Sequence, residues 1–176
     1  ETGTTTLPAW GWWEVAPTDT DYVGVRGQAA NTSSGTSTVV DLPSGGSVTP
    51  GNRLVVIVAA DNSGTSGAAP TLTVADDGGH DWTVVGPGLV DPGAANAGAA
   101  VYVAVSDPIV DLDDGDDITL TWGDATAAKS AVVHEWAGLP DPLDLIVQTA
   151  DGTSTTPSVG VTPTASGQLV IAAVAI

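Results

Sequence analysis

The sequence predicts an all-β protein, an antiparallel β-sandwich of the jelly-roll type, and three observations support this prediction. Glycine and proline are frequent, with 22 and 12 among the 176 residues, and both interrupt helices and mark turns. Short runs rich in valine, threonine and isoleucine lie between these turn residues, as is typical of strands. No segment repeats its apolar residues at the period of an amphipathic helix.

Nine short strands are expected between the turn signals. Alternation within 117–122 places Ile118, Leu120 and Trp122 on one face, and three valines share one face of the segment 101–105. Each of these two strands should therefore have one face in water. The nine expected strands are 36–42, 53–60, 71–75, 81–85, 99–106, 117–122, 129–136, 145–149 and 168–176.

Two further runs, 54–58 and 169–171, are apolar at successive positions, which is typical of strands that are covered on both faces. We expect them to be the most buried segments. A Ser- and Thr-rich lead, a Val-Thr-Pro step and an apolar run occur in 36–60 and again in 153–176. Because this order restarts near Ile176, we expect the sandwich to be completed by residues after it or by a neighbouring subunit.

The sequence divides into an N-terminal arm, residues 1–35, and a sandwich domain, residues 36–176. The arm contains Trp10, Trp12 and Trp13 in a Gly-, Thr- and Pro-rich setting. Large aromatic side chains are enriched at the centres of protein interfaces. The three tryptophans are therefore the candidate partner-binding residues, and they either fold back on the sandwich, dock on a neighbouring subunit or stack on a sugar ring.

The charge balance is strongly acidic. Three Lys or Arg residues stand against 21 Asp or Glu residues, which gives a formal net charge of −18. A surface of this sign repels a phosphate backbone, so nucleic acid is excluded as a partner. The absence of cysteine excludes disulfides and thiolate chemistry. No apolar run reaches the roughly 18 residues of a membrane-spanning helix, so membrane anchoring is not expected.

Six aspartates fall within 107–117, and carboxylate oxygens are the ligands that calcium prefers in proteins. The candidate calcium ligands are Asp111, Asp113, Asp114 and Asp116. The run does not follow the spacing of an EF-hand loop, and ordinary Asp-Gly turns before strands are the alternative interpretation. No other cofactor is expected.

The two histidines, His80 and His134, each precede an acidic residue, Asp81 and Glu135. A zinc site or an acid–base pair is one interpretation of these neighbours, and hydrogen-bonded histidines without such a role are the other. The sequence lacks the Gly-x-Ser-x-Gly elbow and the Gly-rich phosphate loop. We therefore expect a protein that is not an enzyme.

A short motif, Asn31-Thr32-Ser33, lies in a Ser- and Thr-rich stretch. It matches the acceptor sequence for N-glycosylation. The motif has consequences only for a chain that enters a secretory pathway.

Several local motifs follow one another in order from residue 50 to residue 170. They are Pro-Gly-Asn-Arg-Leu-Val-Val at 50–56, Gly-His-Asp-Trp-Thr-Val-Val at 79–85, Ala-Val-Tyr-Val-Ala at 100–104, Gly-Asp-Asp-Ile-Thr-Leu-Thr-Trp at 115–122, Val-Val-His-Glu-Trp-Ala-Gly-Leu at 132–139, Pro-Leu-Asp at 142–144 and Ser-Gly-Gln-Leu-Val at 166–170. In this order they resemble jelly-roll-like β-sandwich modules of phage virion proteins and of bacterial secreted or surface proteins. The resemblance covers residues 36–176 and implies a structural or adhesive role without catalytic residues.

These features lead us to expect a non-enzymatic structural module of a viral particle, a capsid decoration, fibre or minor tail protein located in the virion. It would dock by its Trp-rich arm and expose an acidic sandwich, with other virion or surface subunits as partners and with further copies of itself as a homo-oligomer. A carbohydrate-binding module, with glycans as partners, is one alternative and would need two or three coplanar, exposed aromatic side chains. An extracellular or cell-surface adhesion repeat is the other alternative. The order of features that occurs in 36–60 and again in 153–176 favours it.

Overall fold

A computed structural model describes residues 21–42, 46–61, 69–89, 99–140, 158–162 and 169–173. Within them the chain forms eight strands, and every pairing between strands is antiparallel. No helix long and apolar enough to cross a bilayer occurs in this part of the chain. The strands are β1 (Asp21–Asn31), β2 (Gly35–Asp41), β3 (Arg53–Asp61), β4 (Leu72–Asp76), β5 (Trp82–Leu89), β6 (Ala99–Ser106), β7 (Asp117–Thr126) and β8 (Lys129–Ala137).

The strands form two sheets, one of five strands in the order β1-β8-β3-β6-β5 and one of three in the order β2-β7-β4. The first strand pairs with the eighth, the second with the seventh and the third with the sixth. The chain is therefore a long antiparallel hairpin that folds over into two sheets, which is the jelly-roll arrangement. The predicted fold class is confirmed.

The main core lies between the two sheets. The five-stranded sheet contributes Leu54, Val56 and Val58, and the three-stranded sheet contributes the alternating face of β7, including the buried Trp122. Ile109, in the loop between β6 and β7, is fully buried and closes one end of this core. The predicted burial of 54–58 and of one face of 117–122 is thus confirmed.

Strand β6 departs from the expectation of one wet face. Its inward positions are Ala100, Tyr102 and Ala104, while the valines lie on the outer face of the sheet. There Val105 joins Val55 and Trp136 in a second apolar cluster, which we call the outer cluster. Leu169 and Ile171 pack against the outer cluster, so both faces of β6 are covered in part.

Seven expected strands are present as β2 to β8, with differences at their ends. The expected strand 145–149 lies outside the described residues. Residues 169–173, which belong to the ninth expected strand, are described and form no strand. They lie on the outer cluster without joining a sheet, and they are only partly buried.

Strand β1 was not expected, because the sequence indicated an arm up to residue 35. The sandwich includes the segment from Asp21 to Asn31, since β1 pairs with β8 along the edge of the five-stranded sheet. Irregularities in the pairing fall between Tyr22 and Gly24 and between Val25 and Gly27. Such bulges shift the side chains between faces and interrupt the alternation that is typical of a strand. Residues 1–20, with the three tryptophans of the arm, lie outside the described residues.

Strand β2 crosses close to β1 at Gly27, where the two sheets approach each other. A Cβ atom on Gly27 would lie 2.8 Å from the carbonyl oxygen of Asp41 and 2.8 Å from Cγ1 of Val40. Both contacts are shorter than van der Waals separation, and one of them is with backbone. Residue 27 must therefore be glycine for the two sheets to close at this corner.

We expect Gly27→Ala to lower the free energy of unfolding by about 1–3 kcal/mol, the usual cost of overpacking. Chemical denaturation measures the loss. Gly35→Ala is the matched control, because a Cβ atom at Gly35 would meet nothing within 4 Å. Equal stabilities of the two variants would contradict the close approach at Gly27.

Candidate functional site

Basic side chains are scarce in this chain, and all three lie within the described residues. Arg26, Arg53 and Lys129 are the three Lys or Arg residues of the sequence. Arg53 and Lys129 are each only 3% exposed, and Arg26 is 21% exposed. Each contacts a different part of the interior, so the positive charges are engaged inside the fold.

Glu135, on β8, is fully buried and lies at the centre of a polar network. Its Oε1 accepts hydrogen bonds from the backbone amide of Thr49, at 3.0 Å, and from Nδ2 of Asn52. Its Oε2 accepts from Nε of Arg26, with which it also forms an ion pair. One carboxylate thereby joins β8 to β1 and to the turn that precedes β3.

The environment of Glu135 favours its charged form. Burial would raise the pKa of this carboxyl, but the hydrogen bonds from Asn52, Thr49 and Arg26 and the charge of Arg26 outweigh burial. The pKa therefore lies below the ordinary value for glutamate. A buried carboxylate whose oxygens are both satisfied by its own chain has a structural role.

Lys129 begins β8 and reaches back to the turn between β1 and β2. Its Nζ donates to the carbonyl oxygens of Ser33 at 3.0 Å, Gly35 at 3.1 Å and Thr126 at 2.8 Å. The ammonium group also lies 5.8 Å from the ring centroid of Trp122, a cation–π distance. Three acceptors match the three protons of an ammonium group, so Lys129 is saturated by backbone.

Arg53, the first residue of β3, contacts the end of β6. Its Nη1 donates to the carbonyl oxygen of Ser106 at 2.7 Å and lies 3.5 Å from Oδ1 of Asp107. The hydroxyl of Ser106 accepts the backbone amide of Leu54 at 2.9 Å. The third basic side chain therefore also connects elements that are distant in sequence.

His80 is held by Asp76 and not by its sequence neighbour Asp81. Nε2 of His80 accepts the backbone amide of Val110 at 3.0 Å, so its ring proton is on Nδ1 and is donated to Oδ1 of Asp76 at 2.9 Å. The other oxygen of Asp76 accepts Nε1 of Trp82 at 2.7 Å. Burial raises the pKa of Asp76, but these donors hold it below the ordinary value.

His134 and Glu135, considered above as a possible acid–base pair, lie on opposite faces of β8. Glu135 faces the turn before β3, whereas Nδ1 of His134 lies 3.2 Å from the hydroxyl of Tyr22 on the outer side of the sheet. Burial lowers the pKa of His134. Neither histidine is therefore paired with the acid that follows it in sequence.

Aspartates gather at one end of the sandwich, which we call the acidic end. Antiparallel pairing brings the last residues of β2 and β4 beside the first residue of β7, and the loops 77–81 and 107–116 join strands at the same end. The exposed or partly exposed aspartates of the acidic end are Asp41, Asp77, Asp81, Asp107, Asp111, Asp113, Asp114, Asp116 and Asp117.

The surroundings of Asp117, the first residue of β7, disfavour its negative charge. Partial burial, a hydrogen bond shared with Asp41, and the charges of Asp41, Asp77 and Asp116 all raise its pKa. Its backbone amide donates to Oδ2 of Asp77 at 3.0 Å, so the strand pairing itself holds the carboxylates together. The negative charge of Asp117 therefore opposes folding.

The four calcium candidates contribute to turns at the acidic end. The backbone amide of Asp113 donates to Oδ2 of Asp116 at 2.7 Å, and the amide of Asp116 donates to the carbonyl oxygen of Asp113 at 3.2 Å. Among the residues described, no group of three or more His, Asp or Glu side chains has an arrangement suited to a metal ion. The contacts observed for Asp113 and Asp116 are those of a four-residue β-turn whose last side chain bonds back to its first amide.

The aromatic side chains on the outer face do not form a flat platform. Tyr22 is 45% exposed, and its ring lies 4.9 Å from that of Trp136 at an angle of 54°. Trp136 is buried in the outer cluster, and Trp122 is buried in the main core. A sugar-binding surface of coplanar aromatics is thus not formed by the strands described.

An apolar cavity of about 220 Å³ lies where β4 and β5 separate. Leu72, Val84 and Tyr102 line it. The hydroxyl of Tyr102 donates to the carbonyl oxygen of Pro70 at 2.6 Å, and burial raises its pKa to about 12. The cavity reflects the position of β5, which pairs with β6 instead of joining β4 in the smaller sheet.

Comparisons of the chain with protein-family models, with curated proteins and with solved structures gave no significant match. The two-sheet antiparallel sandwich is established by the structure itself.

We expect Glu135→Gln to lower the free energy of unfolding by about 3 kcal/mol, at the lower end of the cost of breaking a buried ion pair. The glutamine keeps the shape of the side chain but leaves Arg26 without a counter-charge. Denaturant titration at neutral pH measures the loss. Asp107→Asn is the control, because this partner of Arg53 is 60% exposed and an exposed pair contributes little.

The same pair of proteins tests the lowered pKa of Glu135. The stability that its charge contributes is complete above the ordinary pKa of glutamate and is lost as the pH falls through the lowered value. The difference in the free energy of unfolding between the wild type and Glu135→Gln should therefore become smaller in acid. A gap that does not change with pH would contradict the network.

We expect Asp117→Asn to raise the melting temperature at neutral pH, because the raised pKa of Asp117 marks a carboxylate that is less favourable in the folded state. The gain should vanish as the pH falls and Asp117 of the wild type becomes protonated. Differential scanning calorimetry across this range measures it. Asp124→Asn removes one exposed charge outside the acidic end and should change the melting temperature less; an equal gain would remove the special role of Asp117.

Proposed function

We propose that this chain is a structural β-sandwich module of a viral particle, a capsid decoration, fibre or minor tail component without enzymatic activity. The observation that carries the proposal is the use made of the polar groups inside the sandwich. Glu135, Arg53 and Lys129 each join a strand to a distant strand or loop, and the Asp76–His80 pair does so through the amide of Val110. These acidic, basic and imidazole side chains are thus engaged in hydrogen bonds and ion pairs that stabilise the fold.

The distribution of charge supports a role in an assembly that stays hydrated. With the three basic side chains engaged in internal contacts, the described surface presents carboxylates at the acidic end. A surface of one sign repels nucleic acid and resists nonspecific association. A component of a particle that surrounds or delivers nucleic acid benefits from both properties.

The jelly-roll topology supports the same role. Strands that lie far apart in sequence pair with each other, β1 with β8 in one sheet and β2 with β7 in the other. Local opening of such a fold requires several ladders to break together, so the module should resist proteolysis. Rigidity of this kind suits a particle component.

Docking on the assembly is assigned in this proposal to the N-terminal arm with Trp10, Trp12 and Trp13. Large aromatic side chains supply much of the binding energy when they enter a pocket on a partner. The partners would be other subunits of the particle, including further copies of this chain.

The location of the protein tests the proposal directly. Antibodies raised against the recombinant chain would be used on density-purified particles and on washed cell envelopes from the same culture. We expect the protein to sediment with particles that contain nucleic acid. Its presence in the cell envelope alone would contradict the virion proposal and favour the adhesion module.

The role of the arm is tested by replacing Trp10, Trp12 and Trp13 together with alanine in the full chain. We expect incorporation into particles to fall at least tenfold while the melting temperature stays close to that of the wild type. Trp122→Ala is the contrasting control, since removal of a buried tryptophan costs about 3–5 kcal/mol of stability. Normal incorporation of the triple variant would show that docking uses another surface.

A further inference from the structure

The sequence Asn31-Thr32-Ser33 starts at the last residue of β1 and continues into the turn between β1 and β2. The turn leads the chain from the edge of the five-stranded sheet to the edge of the three-stranded sheet. Thr32 and Ser33 are exposed and Asn31 is partly exposed. The strand directions place this turn at the end of the sandwich opposite the acidic end.

The side chain of Asn31 has a defined orientation. Its Oδ1 accepts the backbone amide of Ser33 at 2.8 Å, which is an Asx turn. This contact identifies the carbonyl oxygen and leaves the amide nitrogen, Nδ2, without a hydrogen bond within the described part of the chain. The nucleophilic atom of the motif is therefore available on a partly exposed side chain.

The turn is held in place from its inner side. Nζ of Lys129 donates to the carbonyl oxygens of Ser33 and Gly35 at 3.0 and 3.1 Å. A Cβ atom added at Gly35 would meet nothing within 4 Å, so the turn is uncrowded at that position. The fold thus fixes the backbone of the motif, while Asn31 stays partly exposed and Thr32 and Ser33 stay exposed.

We infer that Asn31 is an acceptor for N-linked glycosylation. Nδ2 of Asn31 attacks the anomeric carbon of an oligosaccharide that is linked to a lipid pyrophosphate. A carbon–nitrogen bond forms as the bond from that carbon to the pyrophosphate oxygen breaks. The lipid pyrophosphate leaves with the electron pair, and one proton of Nδ2 passes to a base of the transferring enzyme.

The position of the glycan follows from the topology and does not depend on the proposed function. An oligosaccharide on Asn31 would project from the β1–β2 turn, away from the acidic end. The other asparagines, Asn52, Asn62 and Asn96, are not followed two positions later by Ser or Thr. Asn31 is therefore the one acceptor sequence of the chain, and any N-glycan can be assigned to it.

The experiment places the full chain behind a cleavable secretion signal in a yeast host. Intact mass and peptide mapping would be recorded before and after treatment with peptide N-glycosidase, on secreted and on retained protein. We expect a glycan on the peptide that contains Asn31, and conversion of Asn31 to aspartate when the glycan is removed. Asn31→Gln and Ser33→Ala should both abolish the modification, and Ser33→Thr should preserve it.

Two results would overturn the inference. The first is an unmodified Asn31 in both the wild type and Ser33→Thr, in whichever fraction the protein is found. The second is a glycosylated protein that melts well below Asn31→Gln, because the exposure of the motif predicts that the folded sandwich accommodates the glycan without loss of stability.

Discussion

The fold depends on placing its three basic side chains inside a molecule that carries 21 acidic residues. Arg26 balances the buried carboxylate of Glu135, Arg53 binds the end of β6, and Lys129 binds three carbonyl oxygens around the β1–β2 turn. Burial of a charge is costly unless it is paired or fully hydrogen-bonded, so these contacts can form only where the chain returns to the same place from distant positions.

Attraction and repulsion fall on different carboxylates. The buried carboxylate of Glu135 is paired with Arg26, whereas Asp117 at the acidic end lies among aspartates whose charges raise its pKa. Ile109 and Leu112 anchor the loop that carries many of these aspartates, since both are buried in the main core. Apolar burial therefore offsets the repulsion that strand pairing creates around Asp117.

The sequence predicted those parts of the fold in which neighbouring residues carry the information. The apolar run of β3 and the alternation of β7 each follow from local pattern, and both were placed correctly. The pairing of Arg26 with Glu135 joins residues separated by 109 positions, which local pattern does not encode. A glutamate within the apolar strand β8 was the available signal, and the scarcity of basic residues made Arg26 one of few partners. The bulges at Val23 and Arg26 interrupt the alternation of β1, and the burial of Tyr102 reversed the expected inner face of β6.

Two claims are central: the three basic side chains are engaged in internal contacts, and the exposed aspartates repel one another. The dependence of the free energy of unfolding on salt concentration tests both most directly. The free energy of unfolding would be measured in sodium chloride and in potassium chloride, from about 0.01 M to about 1 M, where the Debye length falls from about 30 Å to about 3 Å. Screening should weaken the repulsion among exposed aspartates and leave the buried contacts of Arg26, Arg53 and Lys129 largely unchanged. Stability that rises with both salts is the predicted result. Stability that falls as salt is added would show that exposed attractions hold the molecule together, and would contradict this account.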